Sequence, residues 1–205
     1  MRADDDTGDL PAGYPTDLTR DVPGPGGMRY HLRAIRPDDA AALVDFHQHL
    51  SPQSVYLRFF TYHPTLSAAE VARFTTVDYQ DRLALVVTLG DRLVAVGRFD
   101  RPPGATEAEV AFIVADEHQH HGLGSLLLDE LARAGRDRGV ETFKADTLAD
   151  NAAMLDVFRH AGYPISSGVD YGTVTLRFPI ALTDAARAAL ARREEMRRMP
   201  AEHGA

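Results

Sequence analysis

The sequence predicts an α/β fold, of the α+β kind, with one mixed β-sheet and helices on both of its faces. Two apolar runs, DRLALVVTL and RLVAVGRFD, flank the pair Gly90-Asp91 and predict an antiparallel hairpin. A third run, AEVAFIVAD, is apolar enough for a central strand that is buried on both faces. It leads through an amphipathic helix to the strand ETFKADTL, which predicts a crossover between parallel strands. A hairpin and a crossover together require a mixed sheet.

The other elements follow from local patterns taken in chain order. MRYHLRAI alternates as a strand does, and YGTVTLRFPI predicts the last strand. Ser67 and Glu70 form a capping box at the start of the helix SAAEVARF, and Asp150 or Asn151 begins a helix that Gly162 ends. Three further segments predict helices: RPDDAAALVDFHQHL, SPQSVYLRFF and the charged TDAARAALARREEMRRM. The predicted order is β-α-α-α-β-β-β-α-β-α-β, followed by that charged helix.

The length of the chain predicts one domain with tails. Its 205 residues fit a single buried core, and 44% apolar with 25% charged residues is ordinary for a globular protein. Residues 1–27 are rich in Asp, Gly and Pro without an apolar period, so we expect a flexible N-terminal tail. The domain is predicted over 28–180, followed by a charged C-terminal helix and tail over 181–205. The helix end ARREEMRRM is either simply solvated or a docking segment for an adjoining domain or partner.

Composition restricts the partners and the compartment. The net charge of -8 argues against a nucleic-acid partner, because phosphate-binding surfaces carry a basic excess. The absence of cysteine excludes disulfides, thiolate nucleophiles and cysteine-bound metals. The start MRADDDTGDLPAGYP lacks the features of an export signal, and the run LALVV is far shorter than the roughly 18 residues of a membrane span. We therefore expect a cytoplasmic protein without a membrane partner.

The segment HQHHGLGSLLLDEL connects the third apolar run to the long helix. A helix N-terminus has unpaired backbone N–H groups, and it attracts phosphate where side chains do not obstruct the approach. Gly122 and Gly124 remove that obstruction. A plain strand-to-helix turn would also carry glycines, so the wider pattern has to distinguish the two.

That pattern is Gln119-x-x-Gly122-x-Gly124, which resembles the Q/R-x-x-G-x-G/A loop of the GNAT superfamily of CoA-dependent N-acyltransferases. The loop of that family binds the pyrophosphate of acyl-CoA. The resemblance covers about residues 28–180 and includes N-x-x-M-L-x-V-F-x-H-x-G-Y over 151–163. It implies the GNAT fold, whose mixed sheet is mostly antiparallel, and acetyl-CoA as the acyl-donor co-substrate.

Two longer segments, LRAIRPDDAAALVDFHQHLSPQSVYLRFF and EAEVAFIVADEHQHHGLG, are similar to the acetyltransferase domain of bacterial protein lysine acetyltransferases of the Pat-like kind. The resemblance implies acetyl transfer to a lysine side chain of a protein, with an acyl-CoA synthetase as one acceptor. Two alternatives stay open, an N-acetyltransferase for a small amine and a CoA-binding sensor without turnover. Both a monomer and a homodimer are compatible with the sequence.

The resemblance also implies which residues hold acetyl-CoA. Backbone groups of Phe112, Ile113 and Val114 would hold the pantetheine arm, and an N–H near Val114 would stabilise the developing oxyanion. Asn151 would be both a helix N-cap and a CoA contact. The pyrophosphate loop would consist of Gln119, His120, His121, Gly122, Leu123, Gly124 and Ser125.

Glu109 is the candidate general base. An unperturbed lysine has a pKa of about 10.4, so at neutral pH only about one amine in 10³ is free base and a carboxylate assists the attack. Glu109 matches the strand-borne glutamate that many family members use, although it could be a solvated strand-end carboxylate. Glu107 and Asp116 are weaker candidates. The segment YLRFF either borders the acceptor site or packs under the sheet.

The leaving group raises a second question. Many GNAT enzymes place a tyrosine hydroxyl near the sulfur, but the matching residue of this sequence is Phe158. A thiol has a pKa of about 8.5, so the thiolate leaves without much help from an acid. Tyr163 and Tyr171 are possible substitutes, although packing against the core is the more ordinary role for each.

Three histidines lie at the rim of the predicted loop. Adjacent side chains on one loop point in different directions, so we expect no metal site at His118, His120 and His121. We hypothesise instead that CoA binding tightens as the pH falls through about 6.5, when the imidazoles of His120 and His121 become charged beside the phosphates.

Overall fold

A computed structural model gives the structure of residues 10–198, in which one sheet of eight strands is packed with six α-helices. The strands are β1 (Arg20–Pro23), β2 (Arg29–Ala34), β3 (Arg82–Leu89), β4 (Arg92–Asp100), β5 (Glu107–Val114), β6 (Thr142–Leu148), β7 (Ser166–Asp170) and β8 (Thr173–Pro179). The helices are α1 (Ala40–Gln48), α2 (Pro52–Phe59), α3 (Ala68–Thr75), α4 (Leu123–Asp137), α5 (Ala152–Arg159) and α6 (Asp184–Arg198). The outer parts of the two predicted tails, 1–9 and 199–205, lie outside the described residues.

The strand order is β1-β2-β3-β4-β5-β6-β8-β7. Each neighbouring pair is antiparallel except β5 and β6, which are the two strands of the predicted crossover. The predicted mixed, mostly antiparallel sheet is therefore confirmed.

Helices cover both faces of the sheet. Leu83, Leu85 and Val87 of β3 belong to the core beneath α4 and α5, whereas Ala84 and Val86 pack beneath α1 and α2. Successive side chains of a strand point to opposite faces, so this alternation fills two cores with one strand. None of the helices between residues 10 and 198 combines the length and the hydropathy needed to cross a bilayer.

The prediction of a flexible N-terminal tail is wrong for residues 10–27. β1 pairs with β2 along its full length, and the side chains of Leu18 and Val22 are buried in the main core. The segment VPGPGG forms the tight connection between the two strands, with two of its glycines at positive φ. Its composition resembles a linker because turn residues and linker residues are the same kinds of residue.

β7 is absent from the predicted order. It forms a hairpin with β8 through Tyr171 and Gly172, which both have positive φ, as the two central residues of a type I′ turn require. Every residue of β7 is exposed, and it lies at the edge of the sheet. A strand without a buried face has no hydrophobic alternation, which is the signal that sequence analysis uses.

α6, the predicted charged C-terminal helix, packs against the same body. Ala186 and Ala189 are buried, and the Nη2 atoms of Arg193 and Arg197 lie 2.6 and 2.9 Å from the two carboxylate oxygens of Asp129 on α4. The expectation of a simply solvated helix end is therefore wrong for the face that carries these arginines. Opposite charges on α4 and α6 hold the helix to the domain.

Candidate active site

A cleft opens where the parallel strands β5 and β6 separate. The strands pair from Glu107 opposite Thr142 to Glu109 opposite Lys144, and beyond these residues both strands continue without pairing to each other. The cleft has a volume of about 1250 Å³ and runs past the loop that follows β5. Small-molecule sites usually occupy roughly 300–1,000 Å³, so this cleft has room for a long ligand.

β5 borders this cleft and is not buried on both faces, contrary to the prediction. Ala108, Val110 and Phe112 are buried, whereas Glu109 is exposed and Ile113 is half-buried. High apolar content does not distinguish a strand that is covered on both sides from one that lines an apolar cleft.

The backbone of β5 offers hydrogen-bonding groups to the cleft. The N–H of Ala115 donates to the carbonyl of Val94 on β4 at 2.8 Å. Antiparallel pairs alternate between bonded and non-bonded positions, so the backbone groups of Ile113 also face β4. Those of Phe112 and Val114 face the opposite direction, toward the gap. Of the three residues expected to hold the pantetheine arm, two have backbone groups available, and Ile113 lines the cleft with its side chain.

The glycine loop leaves the start of α4 open. Gly122 adopts the left-handed conformation, with φ 77°, and a Cβ there would meet open space. Its carbonyl accepts the first helical bond, from Leu126, so the N–H groups of Leu123, Gly124 and Ser125 have no acceptor inside the helix. A Cβ on Gly124 would lie 3.2 Å from Cγ2 of Val157, a tight contact with α5. The geometry fits an anion bound by backbone N–H groups.

The three histidines have different environments. His118 is buried and its Nδ1 lies 3.1 Å from the hydroxyl of Tyr30, which is also 2.9 Å from Nδ1 of His121. A hydroxyl has one proton to donate, so one of these imidazoles accepts from Tyr30 and the other donates to it. His120 is exposed and has a φ of 62°. Two histidines therefore support the loop, and the hypothesis of a pH-dependent contact with phosphate stays a prediction.

Burial lowers the pKa of His118 below its ordinary value, and His121 and Arg92 add to this effect, while Glu117 opposes it. Burial also raises the pKa of the Tyr30 hydroxyl. Both shifts favour the neutral forms of these side chains. Among residues 10–198, no group of three histidine or carboxylate side chains is arranged to hold a metal ion.

Gln119 and Asp116 connect the loop to α2. The Nε2 of Gln119 donates to Oγ of Ser54 at 3.0 Å and to the carbonyl of Val114 at 3.4 Å. Asp116 accepts from the N–H and the hydroxyl of Ser51, at 2.9 and 2.6 Å, and from the hydroxyl of Ser54 at 2.7 Å. Partial burial alone would raise the pKa of Asp116, but these hydrogen bonds outweigh it and the pKa is lowered. Gln119 and Asp116 position the site, and Asp116 is not placed to act as the base.

Glu109 lies at the point where the strands begin to separate. Its carboxylate lines the cleft, and it stands opposite Asp100 of β4 in the sheet register. Arg58 of α2 is an electrostatic neighbour of Glu109 and lines the same cleft. Glu107 forms an ion pair with Arg177 at 3.2 Å and lies outside the cleft lining. Of the three carboxylates considered from sequence, Glu109 is the one with access to a ligand in the cleft.

Among residues 10–198, no tyrosine lines the cleft. Phe158 is buried, with its ring centroid 6.0 Å from that of Phe112 and 5.5 Å from that of Phe178. Tyr163 stacks on Phe178 at 5.7 Å, outside the cleft lining, and burial raises its pKa. Tyr171 is fully exposed at the β7–β8 turn. Neither tyrosine replaces the missing hydroxyl.

One polar atom in the cleft was missed by sequence analysis. Thr147 of β6 is 2% exposed, and its hydroxyl has no hydrogen-bond partner among the residues that the structure describes. The same face of β6 carries the buried Phe143 and Ala145. A threonine in an otherwise apolar row was the available signal. A buried unpaired hydroxyl is costly, and a polar group of a bound ligand would satisfy it.

The remaining walls come from the start of α5, from the β1–β2 connection and from α6. Asn151 is confirmed as the N-cap of α5, since its Oδ1 accepts from the N–H of Met154 at 3.1 Å, and it lines the cleft as well. Pro23 to Pro25 and several residues of α6, among them Arg192, contribute further lining. The segments predicted as appendages are therefore parts of the site.

The model of the Acetyltransferase (GNAT) family matches residues 44–163. The chain belongs to this family, which confirms the resemblance found in the sequence and the predicted class of enzyme, an N-acetyltransferase.

More particular similarities point in the same direction. Acetyltransferase Pat of Mycolicibacterium smegmatis is 34% identical over 140 residues, which are 66% of this chain and 41% of that protein, so the chain spans about two fifths of that relative. The solved GNAT domain of S. lividans PAT is 40% identical, with a TM-score of 0.76, covering 81% of this chain and 99% of that domain. A cAMP-binding acyltransferase from Mycobacterium smegmatis is 26% identical, with a TM-score of 0.57. The match covers 89% of this chain and 55% of that protein. The predicted Pat-like character is thus confirmed at the level of similarity.

Proposed function

We propose that this protein transfers an acetyl group from acetyl-CoA to a lysine side chain of another protein, by direct attack of the amine. The observation that carries the proposal is the cleft itself, because it joins the open N-terminus of α4 to the carboxylate of Glu109 along unpaired backbone of β5. Acyl transfer from CoA requires a phosphate-binding end, an extended channel and a base, arranged one after another along one cleft. An acyl-CoA synthetase remains the protein acceptor that the Pat-like resemblance suggests.

Acetyl-CoA enters this scheme as a substrate that supplies the activated thioester. The N–H groups of the first turn of α4, from Leu123 to Ser125, would bind its pyrophosphate, with His120 and His121 at the rim. Phe112 and Val114 would hydrogen-bond the pantetheine arm, and the N–H of Val114 would stabilise the oxyanion as a preorganised donor. Asn151 and the hydroxyl of Thr147 would supply further polar contacts.

Glu109 would accept the proton of the attacking amine. The lysine nitrogen forms a bond to the thioester carbon, the carbon–sulfur bond breaks, and CoA leaves as a thiolate that takes up a proton from solvent. A thiol has a pKa of about 8.5, so the reaction does not require the tyrosine hydroxyl that Phe158 replaces.

A protein acceptor is favoured by the outer wall of the cleft. The carboxylate of Glu109 is exposed, so a lysine on a folded surface has access to it. Phe60, which lines the cleft, is 38% exposed, and Tyr56 and Tyr62, near it in the chain, are 45% and 82% exposed. Such aromatic side chains are enriched in protein interfaces. An acceptor that is a small amine would need no exposed aromatic side chains around the cleft.

The test compares Glu109→Gln with the wild-type chain. We expect turnover to fall roughly 10²- to 10⁴-fold, the usual contribution of a general base. Acetyl-CoA affinity, measured by calorimetry, should stay within about twofold because the glycine loop is distant from the substitution. Acetyl-lysine is mapped by mass spectrometry after incubation with acetyl-CoA and purified acyl-CoA synthetases.

Glu107→Gln is the matched control, because it removes a carboxylate two residues away that lies outside the cleft lining, and its turnover should resemble wild type. Unchanged turnover in Glu109→Gln would exclude the base. Binding of acetyl-CoA by the wild-type chain without transfer to any amine would identify a CoA-binding sensor.

A further inference from the structure

Arg58 is a cation in the acceptor half of the cleft whose charge is not paired. It lies in α2, between the cleft and a small cavity beneath α1 and α3. Its Cζ is 5.1 Å from the ring centroid of Phe59. The guanidinium makes no hydrogen bond or ion pair with any residue in the described part of the chain.

The neighbouring acids Glu109 and Asp100 favour the charged form of Arg58, but neither forms a hydrogen bond or ion pair with it among the described residues. Both carboxylate oxygens of Asp100 are engaged, one by Nε of Arg98 at 2.8 Å and the other by Nε of Arg82 at 2.9 Å. The cluster of Arg58, Arg82 and Arg98 with Asp100 and Glu109 holds three cations and two anions. Burial and the nearby Arg98 lower the pKa of Arg58 to about 10, which leaves it charged at neutral pH.

The position of Arg58 associates it with Glu109. It neighbours Glu109, near the start of β5, whereas the glycine loop follows Val114 at the end of that strand. The five residue steps from Glu109 to Val114 span roughly 17 Å of extended strand. Arg58 lies one helical turn beyond Ser54, which contacts Gln119 of the loop at 3.0 Å, so it stands between the loop and Glu109. Its coupling to Glu109, where the acceptor amine would lose its proton, favours an anion that the acceptor carries.

We infer that Arg58 binds a carboxylate that the acceptor carries beside its amine. The inference rests on the proposed function, and it then specifies the acceptor as a lysine with an aspartate or glutamate one or two positions away. A guanidinium presents two parallel donors that match a carboxylate, and in a partly buried site such a pair is geometrically selective. The bound carboxylate also neutralises the excess positive charge next to an incoming ammonium group.

The experiment uses the full chain, acetyl-CoA and pairs of peptides that carry one lysine. Members of a pair differ by a single flanking residue, Asp or Asn, so that size is constant and charge changes. Mass spectrometry measures kcat/KM for each peptide. We expect the Asp peptide to exceed the Asn peptide by roughly 10- to 100-fold, the range for a charge-assisted hydrogen bond.

Three variants identify the group responsible. Arg58→Met keeps an unbranched stem of similar packing but removes the charge, so the Asp/Asn ratio should fall to about one. Arg58→Lys keeps the charge without the paired donors and should give an intermediate ratio. Arg187→Met removes an exposed arginine of α6 outside the cleft lining and should keep the wild-type ratio. Acetyl-CoA affinity verifies that each variant is folded.

The possible results separate the two proposals. Equal rates on Asp and Asn peptides with the wild-type chain, or an unchanged ratio in Arg58→Met, would overturn the role of Arg58 while lysine acetylation stands. If Arg58 served only to orient Glu109, both peptides would slow equally in Arg58→Met, which also overturns the inference. Acetylation of a free amine with no acetylation of any peptide or protein would overturn the proposed function itself.

Discussion

The two ends of the cleft are built differently. The donor end consists of one continuous segment, the glycine loop and the first turn of α4, and it presents backbone N–H groups. The other end, where we propose that the acceptor binds, takes Arg58 from α2 and Glu109 from β5, and it presents side-chain charges. A donor that is common to a whole family can be bound by backbone, whereas selectivity for an acceptor needs side chains that differ between members.

The difference predicts that substitutions at the two ends have separable effects. Changes around α4 should alter stability and acetyl-CoA affinity, and they should leave the Asp/Asn ratio of peptide acceptors unchanged. Changes at Arg58 should alter the Asp/Asn ratio of peptide acceptors and leave stability and acetyl-CoA affinity unchanged.

The largest effect is expected for Asp129→Ala, behind the donor end. Its side chain is 4% exposed and pairs with Arg193 and Arg197, so its removal leaves two partly buried cations without their partner. Breaking such a pair costs about 3–5 kcal/mol in the free energy of unfolding. Urea denaturation measures that loss, and the KM for acetyl-CoA should rise because α6 lines the cleft.

Asp184→Ala is the control for this substitution, since Asp184 is a fully exposed acid at the start of the same helix. If both variants lost equally little free energy of unfolding, the contact between α6 and α4 would contribute little to the stability of the donor end. A change of the Asp/Asn ratio in Asp129→Ala would contradict the separation of the two ends.

A smaller effect is expected for Thr147→Val. The substitution should preserve or raise the stability of the fold, and it should weaken the binding of acetyl-CoA. The substitution replaces an unpaired buried hydroxyl with a methyl group of similar size, so the melting temperature should stay unchanged or rise. Acetyl-CoA affinity should fall by about 1 kcal/mol, or roughly fivefold, because a ligand group loses its hydrogen bond.

Thr75→Val provides the contrast. Its buried hydroxyl already donates to the carbonyl of Val71 on α3, away from the cleft, so this variant should lose stability with unchanged affinity. If Thr147→Val behaved in the same way, the hydroxyl of Thr147 would belong to the fold and not to the site.

The smallest expected effect is a pH dependence confined to the donor end. His118 has a lowered pKa in the folded chain, so the unfolded chain binds a proton first as the pH falls. The stabilisation of the folded chain by neutral His118 is complete at pH values above the ordinary pKa of 6.5. It is lost as the pH falls through the lowered pKa of the folded chain. Asp100 and Asp116 have lowered pKa values as well, and they lose their contribution only below 3.8.

Hydrogen exchange between pH 7.5 and 5 measures this directly. The loop after β5 should lose protection before α2 does, and His118→Gln should abolish the difference. If the loop after β5 and α2 lost protection at the same pH, the pH dependence could not be assigned to His118. The hypothesis for His120 and His121 has the opposite sign, since it predicts tighter CoA binding over the same range, and calorimetry with the double alanine variant separates the two.

The sequence predicts the structure best where that structure is determined locally. The capping box of Ser67 and Glu70 and the N-cap Asn151 are confirmed because each depends on residues within one turn. The Gly90-Asp91 hairpin is confirmed for the same reason. The fold class followed from these elements and from the order in which they occur.

The errors concern short edge strands with weak hydrophobic alternation and contacts between distant parts of the chain. Val22 is buried through pairing of β1 with β2, and Tyr30 meets His118 and His121 across 88 and 91 positions. Arg58 and Glu109 are brought together by packing of α2 on the sheet, for which no short motif exists. The candidate base could be predicted by resemblance, whereas its charged surroundings could not.

The β1–β2 hairpin has one more consequence, for how the domain can be trimmed. The family match begins at residue 44, within α1, and so omits both strands at this side of the sheet. Removal of residues up to 27 would leave the outer edge of β2 unpaired, and an unpaired edge recruits other extended chains. It would also take away Pro23 and Gly24 at the mouth of the cleft. We therefore expect that loss of this short first strand would both promote association of the sheet edge and open the mouth of the cleft.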